Sequence, residues 1–211
     1  MENSSIEGTT DPLDPLVERT AGPQPGRRLF HAGNGLVIWA FLHYSGIESG
    51  PAALLIGGLA AGALALDIAR LNVPGLNRLF FRALPAFASP RERSRVASST
   101  WYLAGVALSL ALFARPFAEA GVLVLALADP VASWFGRRYG RRRFGAGSVF
   151  GSSLFWIVSV AILWSTAGLV PALAAATAVT LVEAAPWGLD DNLAVPIATA
   201  AALALVTGVL G

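Results

Sequence analysis

Seven long apolar stretches, separated by short clusters of arginine, constrain this chain more than any other feature of its sequence. A helix that crosses a bilayer needs roughly 20 mostly apolar residues. Residues 29–47, 51–69, 97–114, 117–136, 149–170, 171–185 and 193–210 each approach that length. The sixth stretch is short and the first begins with polar residues, so the pattern admits six to eight spans. Of the 211 residues, 55% are hydrophobic and 13% charged, against about 25% charged in an ordinary soluble domain. A disordered chain, a fibrous repeat and most soluble enzymes are thereby excluded. The expected fold class is all-α, a polytopic membrane bundle of about seven transmembrane helices. Runs such as Gly57-Gly58-Leu59-Ala60-Ala61-Gly62 would let helix backbones approach closely.

The charged residues narrow the chemistry. Every one of the 15 basic residues is Arg, which removes a Lys nucleophile, a Schiff base and a Walker-type phosphate loop. Cys is absent, so disulfides, Cys-ligated zinc, iron–sulfur clusters and thiol catalysis are excluded. The 2 His residues do not make a His-rich metal site. A net charge of +2 in so apolar a chain points to a membrane rather than to nucleic acid.

Cytoplasmic loops of membrane proteins are enriched in Arg and Lys. With seven spans, Arg19, Arg27, Arg28, Arg70, Arg78, Arg82, Arg91, Arg93, Arg95, Arg137, Arg138, Arg141, Arg142 and Arg143 fall on one side. Only Arg115 falls on the other. That split makes the N-terminus cytoplasmic and the C-terminus external, in an integral protein of the cell membrane. Residues 1–26 hold Glu2, Glu7, Asp11, Asp14, Glu18 and four prolines and read as a flexible cytoplasmic tail. They lack the basic start and apolar core of a secretory signal. Residues 71–87 are not a span. Leu76, Leu79, Phe80, Ala83, Leu84 and Phe87 recur at helical spacing with Arg78 and Arg82 between them, as in an interfacial amphipathic helix bounded by Pro74 and Pro85. It is either a loop helix packed on the bundle or a lip that guides a lipid head group.

Acids inside membrane segments are costly and point to function. Eight lie outside the tail: Glu48, Asp67, Glu92, Glu119, Asp129, Glu183, Asp190 and Asp191. Glu48 and Glu119 sit at external ends, where solvation suffices, and Glu92 reads as a surface partner of its neighbouring arginines. The other five converge on one cytoplasmic cleft. Asp67 ends the second span, Asp129 lies about 10 Å above the end of the fourth at 1.5 Å per residue, Glu183 ends the sixth, and Asp190 and Asp191 precede the seventh. Carboxylates beside dense arginine suggest phosphate chemistry, because Mg²⁺ takes one or two carboxylates plus substrate phosphates and arginine forks match phosphate oxygens. The positive-inside rule alone is the plainer account of the arginines, and a buried Arg partner the plainer account of Asp129.

The stretch from Asp129-Pro130 through Gly136-Arg137-Arg138-Tyr139-Gly140-Arg141-Arg142-Arg143 to Ser148-Val149-Phe150-Gly151-Ser152 combines an acid, paired glycines, a basic run and hydroxyls that suit a phosphate nest. With two further motifs, it makes the chain resemble the polyprenol and diacylglycerol kinase family. That family includes dolichol kinase, phytol kinase and the CTP-dependent diacylglycerol kinase of yeast, and is distantly similar to phosphatidate cytidylyltransferase. The other motifs are Arg27-Arg28-Leu29-Phe30-His31 and Glu183-Ala184-Ala185-Pro186 followed by Asp190-Asp191-Asn192-Leu193-Ala194-Val195-Pro196. The last, like the family's Glu and Asp-Asn-x-x-x-Pro, favours the kinases over the cytidylyltransferases.

The resemblance implies phosphoryl transfer to a lipid alcohol, with CTP as donor and Mg²⁺ as cofactor, by a transmembrane catalytic domain over residues 27–211. The acceptor would be an isoprenoid alcohol such as dolichol or phytol, or a diacyl- or dialkylglycerol. By the resemblance, Asp129 and Asp191 hold metal, and Glu183 or Asp190 accepts the alcohol proton. Arg137, Arg138, Arg141, Ser148, Gly151, Ser152 and Asn192 contact nucleotide and phosphate, and Arg28, His31 and Asp67 contact substrate. Expected partners are the lipid alcohol, membrane lipids and a nucleoside triphosphate, without nucleic acid; a homodimer is compatible. Gly147 stands where the family usually has Lys, and Phe150 where it often has Glu; Arg141, Arg142 or Arg143 would supply the missing charge. A cytidylyltransferase is the second reading, disfavoured by the lack of Ser-Pro-x-Lys near Ser148. An inactive lipid-binding or transport relative is the third, and no convincing internal repeat supports a transporter.

Overall fold

The computed structural model describes residues 11–21 and 25–210; Glu2 and Glu7 of the acidic tail lie outside them. A long helical body falls on each of the seven apolar stretches. These are α2 (Pro25–Tyr44), α3 (Ser49–Asn72), α5 (Ser98–Leu112), the continuous pair α6 (Arg115–Leu123) and α7 (Asp129–Tyr139), α8 (Val149–Ala167), α9 (Leu169–Ala184) and α10 (Asp191–Leu210). Short helices α1 (Asp14–Glu18) and α4 (Pro74–Ala83) precede and follow the first two. Four bodies are long and apolar enough to cross a membrane: Ser49–Asn72, Arg115–Tyr139, Val149–Ala167 and Asp191–Gly208. Ser98–Leu112 and Leu169–Ala184 are apolar but shorter, so helix length and composition support a polytopic membrane bundle and leave its span number at four or more.

Two prolines reshape the helices where they carry acids. Pro130 has no N–H and its ring clashes with the carbonyl four residues earlier. The turn before it, Val124–Ala128, widens into a π-helix, which absorbs that clash and keeps α6 and α7 on one axis. Pro196 lies inside α10 and removes the donor that Asn192 O would otherwise receive. Small residues then close the bundle over these breaks. A Cβ on Gly105 would stand 2.5 Å from Asn192 O, and one on Gly121 2.6 Å from Pro196 O. Glycine at both positions lets α5 and α6 press directly on the opened turn of α10.

A buried ion pair anchors the loop between α4 and α5. Asp67 and Arg70, one turn apart on α3, are 4% and 5% exposed and meet at 2.6 Å. Asp67 also accepts from Ala97 N at 2.9 Å and Thr100 Oγ1 at 2.6 Å. Arg70 donates to Asn77 Oδ1, Glu92 O and Arg95 O and lies over the Phe80 ring. Glu92, read from the sequence as a surface residue, is buried. It closes a capping box with Ser89, accepts from Ser98 N and pairs with Arg27 at 3.4 Å.

The end of the acidic tail is also tied down. Asp11 and Asp14 both pair with Arg93, and Leu13 packs with Phe81 and Ala88. The Leu13 N–H and the Arg93 guanidinium hold the Asp11 carboxyl below the usual carboxylate range. α4 turns Asn77 and Phe81 inward and leaves Leu76 and Leu79 exposed. At the opposite end, Glu119 is buried rather than solvated. It receives Arg115 at 2.8 Å and lies 3.0 Å from His43 Nδ1, while Arg115 also donates to Ile47 O.

Removing one partner of a buried ion pair leaves an uncompensated charge, at a cost of about 3–5 kcal/mol. Asp67→Ala should therefore lower the unfolding free energy of the detergent-solubilised protein by an amount of that order, read as a lower denaturant midpoint. An unchanged midpoint would show that Arg70 finds equal compensation elsewhere.

Candidate active site

One cleft of about 1260 Å³ opens at the end of the bundle where the arginines gather. α2 contributes Arg27, Arg28 and His31, α7 contributes Asp129, Ser133 and Arg137, and α8 contributes Gly151 and Ser152. Glu183 comes from the last turn of α9, and Asp190, Asp191 and Asn192 from the start of α10. The loop held by Arg70 closes one side with Arg91 and Arg95. A two-stranded hairpin, β1 (Arg143–Phe144) and β2 (Gly147–Ser148), brings Arg141, Arg142 and Arg143 to the rim.

Local backbone chemistry positions these groups. Gly145 turns the hairpin at φ +52°, a left-handed conformation that disfavours a side chain, and a Cβ there would collide with the Ala184 carbonyl. Ala146 N donates to Ala184 O at 2.8 Å, so the basic hairpin is pinned one residue from Glu183. Ser148 caps α8 by accepting from Gly151 N at 3.1 Å and donates to Gly136 O at 3.3 Å. Asp190 caps α10: its Oδ1 accepts from Asn192 N at 3.1 Å and Asn192 Nδ2 at 2.6 Å, the usual N-cap arrangement. That bond also fixes the Asn192 amide.

Other polar atoms in the cleft are buried without a hydrogen-bond partner. They are Glu183 Oε2, Ser152 Oγ and His31 Nε2. The Ser152 hydroxyl is the neighbour of the Glu183 carboxyl and can donate to it. Asp129 feels the charges of Asp191, Glu183 and Asp190, with Arg27 as the opposing charge. The four acids therefore form one electrostatic unit. Among the described residues no three acids or histidines stand close enough to cage a metal by themselves. A pair of them can offer the one or two carboxylates that Mg²⁺ takes alongside substrate phosphates.

The structure brings together most residues singled out from the sequence and leaves two aside. Asp67, expected to contact substrate, does not line the cleft; its carboxylate is consumed by Arg70, Ala97 and Thr100. Arg138, expected to contact phosphate, lies outside it, near the Tyr139 ring and hydroxyl. Ser148 lines the cleft with its hydroxyl committed to the cap. Arg28 approaches the Trp134 ring at 5.2 Å, and His31 meets Tyr102 edge-on at 4.8 Å. Arg27 bonds to Ser98 Oγ at 2.7 Å and is a cleft residue in its own right, which the basic pair Arg27-Arg28 only hinted at. The Ser89-x-x-Glu92 spacing was the available signal for the capped loop.

No family profile matches the chain, and neither does any solved structure. Two curated proteins are similar to it. CTP-dependent diacylglycerol kinase 1 of Schizosaccharomyces pombe is 28% identical over 162 residues, spanning 66% of this chain and 74% of that protein. CTP-dependent diacylglycerol kinase 1 of Saccharomyces cerevisiae is 27% identical over 114 residues, spanning 54% of this chain and 39% of that protein. Both agree with the resemblance carried by the three motifs.

Gly145→Val should release the hairpin from α9. Hydrogen exchange would then speed up at the Ala146 amide while the amides of α8 and α9 keep their protection. Unchanged exchange at Ala146 would show that the hairpin is held by something other than this turn.

Proposed function

We propose that this chain is an integral membrane kinase that transfers the terminal phosphoryl group of CTP to the hydroxyl of a lipid alcohol. A diacylglycerol is the first acceptor to test, with dialkylglycerols and isoprenoid alcohols beside it. The observation that carries this reading is the placing of four carboxylates beside an arginine hairpin in one cleft at the end of an apolar bundle. Phosphoryl transfer needs positioning and charge neutralisation more than covalent help, and these residues supply both. The names of the two similar proteins support the same donor and the same class of acceptor. The 14-to-1 division of arginines supports a cleft and N-terminus on the cytoplasmic side.

Asp129 and Asp191 are the carboxylates suited to hold Mg²⁺, because neither takes part in a cap or an ion pair. Bound there, the metal would neutralise charge on the triphosphate. Arg137, Arg141 and the neighbouring hairpin arginines would bind phosphate oxygens, and Asn192, fixed by Asp190, would orient the nucleotide. Asp190 is committed to the α10 cap, which leaves Glu183 as the better proton acceptor. In the transfer, the alcohol oxygen bonds to the terminal phosphorus as the bond to the bridging oxygen breaks. The hydroxyl proton passes to Glu183, and CDP departs.

The test is purified protein with Mg²⁺, labelled CTP and a panel of lipid alcohols. A phosphorylated lipid and CDP are the expected products; pyrophosphate and a CDP-lipid would indicate a cytidylyltransferase, and no transfer from CTP, ATP or GTP would overturn the proposal. Glu183→Gln should lower turnover by about 10²–10⁴, the usual contribution of a general base. Asp129→Asn and Asp191→Asn should each abolish it, as should chelation of the metal.

A further inference from the structure

A second recess runs along the membrane-facing seam between α8 and α9. Its volume is about 440 Å³, and its walls include Val149, Trp156 and Ile157 of α8 and Thr177 and Leu181 of α9. From Val149 to Ile157 it extends about 12 Å along the helix axis at 1.5 Å per residue. It therefore runs from the level of the arginine hairpin along the apolar surfaces of α8 and α9.

The hydroxyls of Ser153, Thr177 and Thr180 in this groove have their protons taken up by helix carbonyls. Ser153 Oγ donates to Val149 O at 2.8 Å, Thr177 Oγ1 to Leu173 O at 2.7 Å and Thr180 Oγ1 to Ala176 O at 2.7 Å. Trp156 Nε1 donates across the seam to Thr177 Oγ1 at 3.0 Å, which fixes the two walls together. What remains towards the lipid is methyl, methylene and ring surface. Ser152 is the exception. It is 6% exposed, its Oγ is buried without a hydrogen-bond partner, and it lines both this groove and the polar cleft.

We infer that the α8–α9 groove is the lateral port through which the hydrocarbon chain of a lipid alcohol leaves the cleft, with the alcohol hydroxyl at Ser152. The inference rests on the kinase reading above and names where its acceptor sits. A hydroxyl that must reach Glu183 from within a bilayer needs a wall of the cleft that its chain can cross. The groove provides that crossing, and the Ser152 hydroxyl, which lines both groove and cleft and neighbours Glu183, stands at the junction of chain and head. Lipid tails are as apolar as the groove, so the groove contributes orientation, while selectivity for an alcohol over an alkane comes from the polar end. Ser152 is a positioning residue in this arrangement.

The experiment uses the full chain in phosphatidylcholine nanodiscs with hexadecanol carrying a diazirine at its terminal carbon. Photolabelling should concentrate on residues 149–157 and 177–181. Unlabelled hexadecanol should displace the probe and hexadecane should not. Thr177→Trp and Ile157→Trp, which fill the groove from opposite walls, should each reduce labelling there at least tenfold, while Leu54→Trp on the lipid-facing side of α3 should not. Each groove variant should also lower the turnover of a long-chain alcohol relative to its short-chain homologue by at least tenfold. Labelling spread evenly over lipid-facing helices, displacement by hexadecane as readily as by hexadecanol, or an unaltered chain-length ratio in both folded variants would overturn the inference. Groove labelling without phosphoryl transfer to any lipid alcohol would instead sink the kinase reading and leave the port standing.

Discussion

Four carboxyl groups gathered in one cleft of an apolar bundle repel one another when ionised, and the site depends on holding them there. Carboxylates are expensive within a membrane segment, and their mutual repulsion grows as water is excluded. The chain meets this constraint in two ways. It places Asp129, Glu183, Asp190 and Asp191 within reach of one open cleft rather than in the bundle core. It also brings Arg27, Arg28, Arg137 and the hairpin arginines around them. A ligand that binds there must satisfy both sets at once, and a metal-bound polyphosphate has the charge pattern to do so.

The convergence is achieved by breaks in otherwise regular helices. Pro130 follows Asp129 at a π-helical turn, and Pro196 opens the turn of α10 that begins at Asn192. Gly105 and Gly121 let neighbouring helices approach these breaks at backbone distance. Gly145 then folds the basic hairpin back to the end of α9. The site is thus built from positions where helix hydrogen bonding is interrupted, which is where a membrane protein can present polar groups without stranding them in lipid.

Much of this was legible in the sequence because hydropathy reports helices directly. Seven apolar stretches became seven helical bodies, and the three motifs marked the residues of one cleft. What the sequence concealed depends on tertiary partners. Glu119 reads as a solvated acid at a segment end and Glu92 as a surface partner of its neighbouring arginines, yet both are buried, Glu92 against Arg27 from α2 and Glu119 against Arg115 of its own helix and His43 of α2. Asp67 reads like the other cleft acids and differs because Arg70, Ala97 and Thr100 together satisfy its carboxylate. Arg27 and Arg28 are adjacent and chemically alike, so only the fold separates the partner of Glu92 and Ser98 from the one beside Trp134. The π-helical turn has no sequence period of its own, and the α8–α9 groove arises from two surfaces that meet only in the folded chain.

The central claim is that acids and arginines of this cleft act together on one metal-bound nucleotide. The most direct measurement is the equilibrium affinity for CTP with and without Mg²⁺, on the natural chain and on Asp129→Asn. Mg²⁺ should tighten CTP binding to the natural chain, and the substitution should remove this gain while weaker, arginine-dependent binding persists. An equal Mg²⁺ effect on both proteins, or no CTP binding by either, would contradict it.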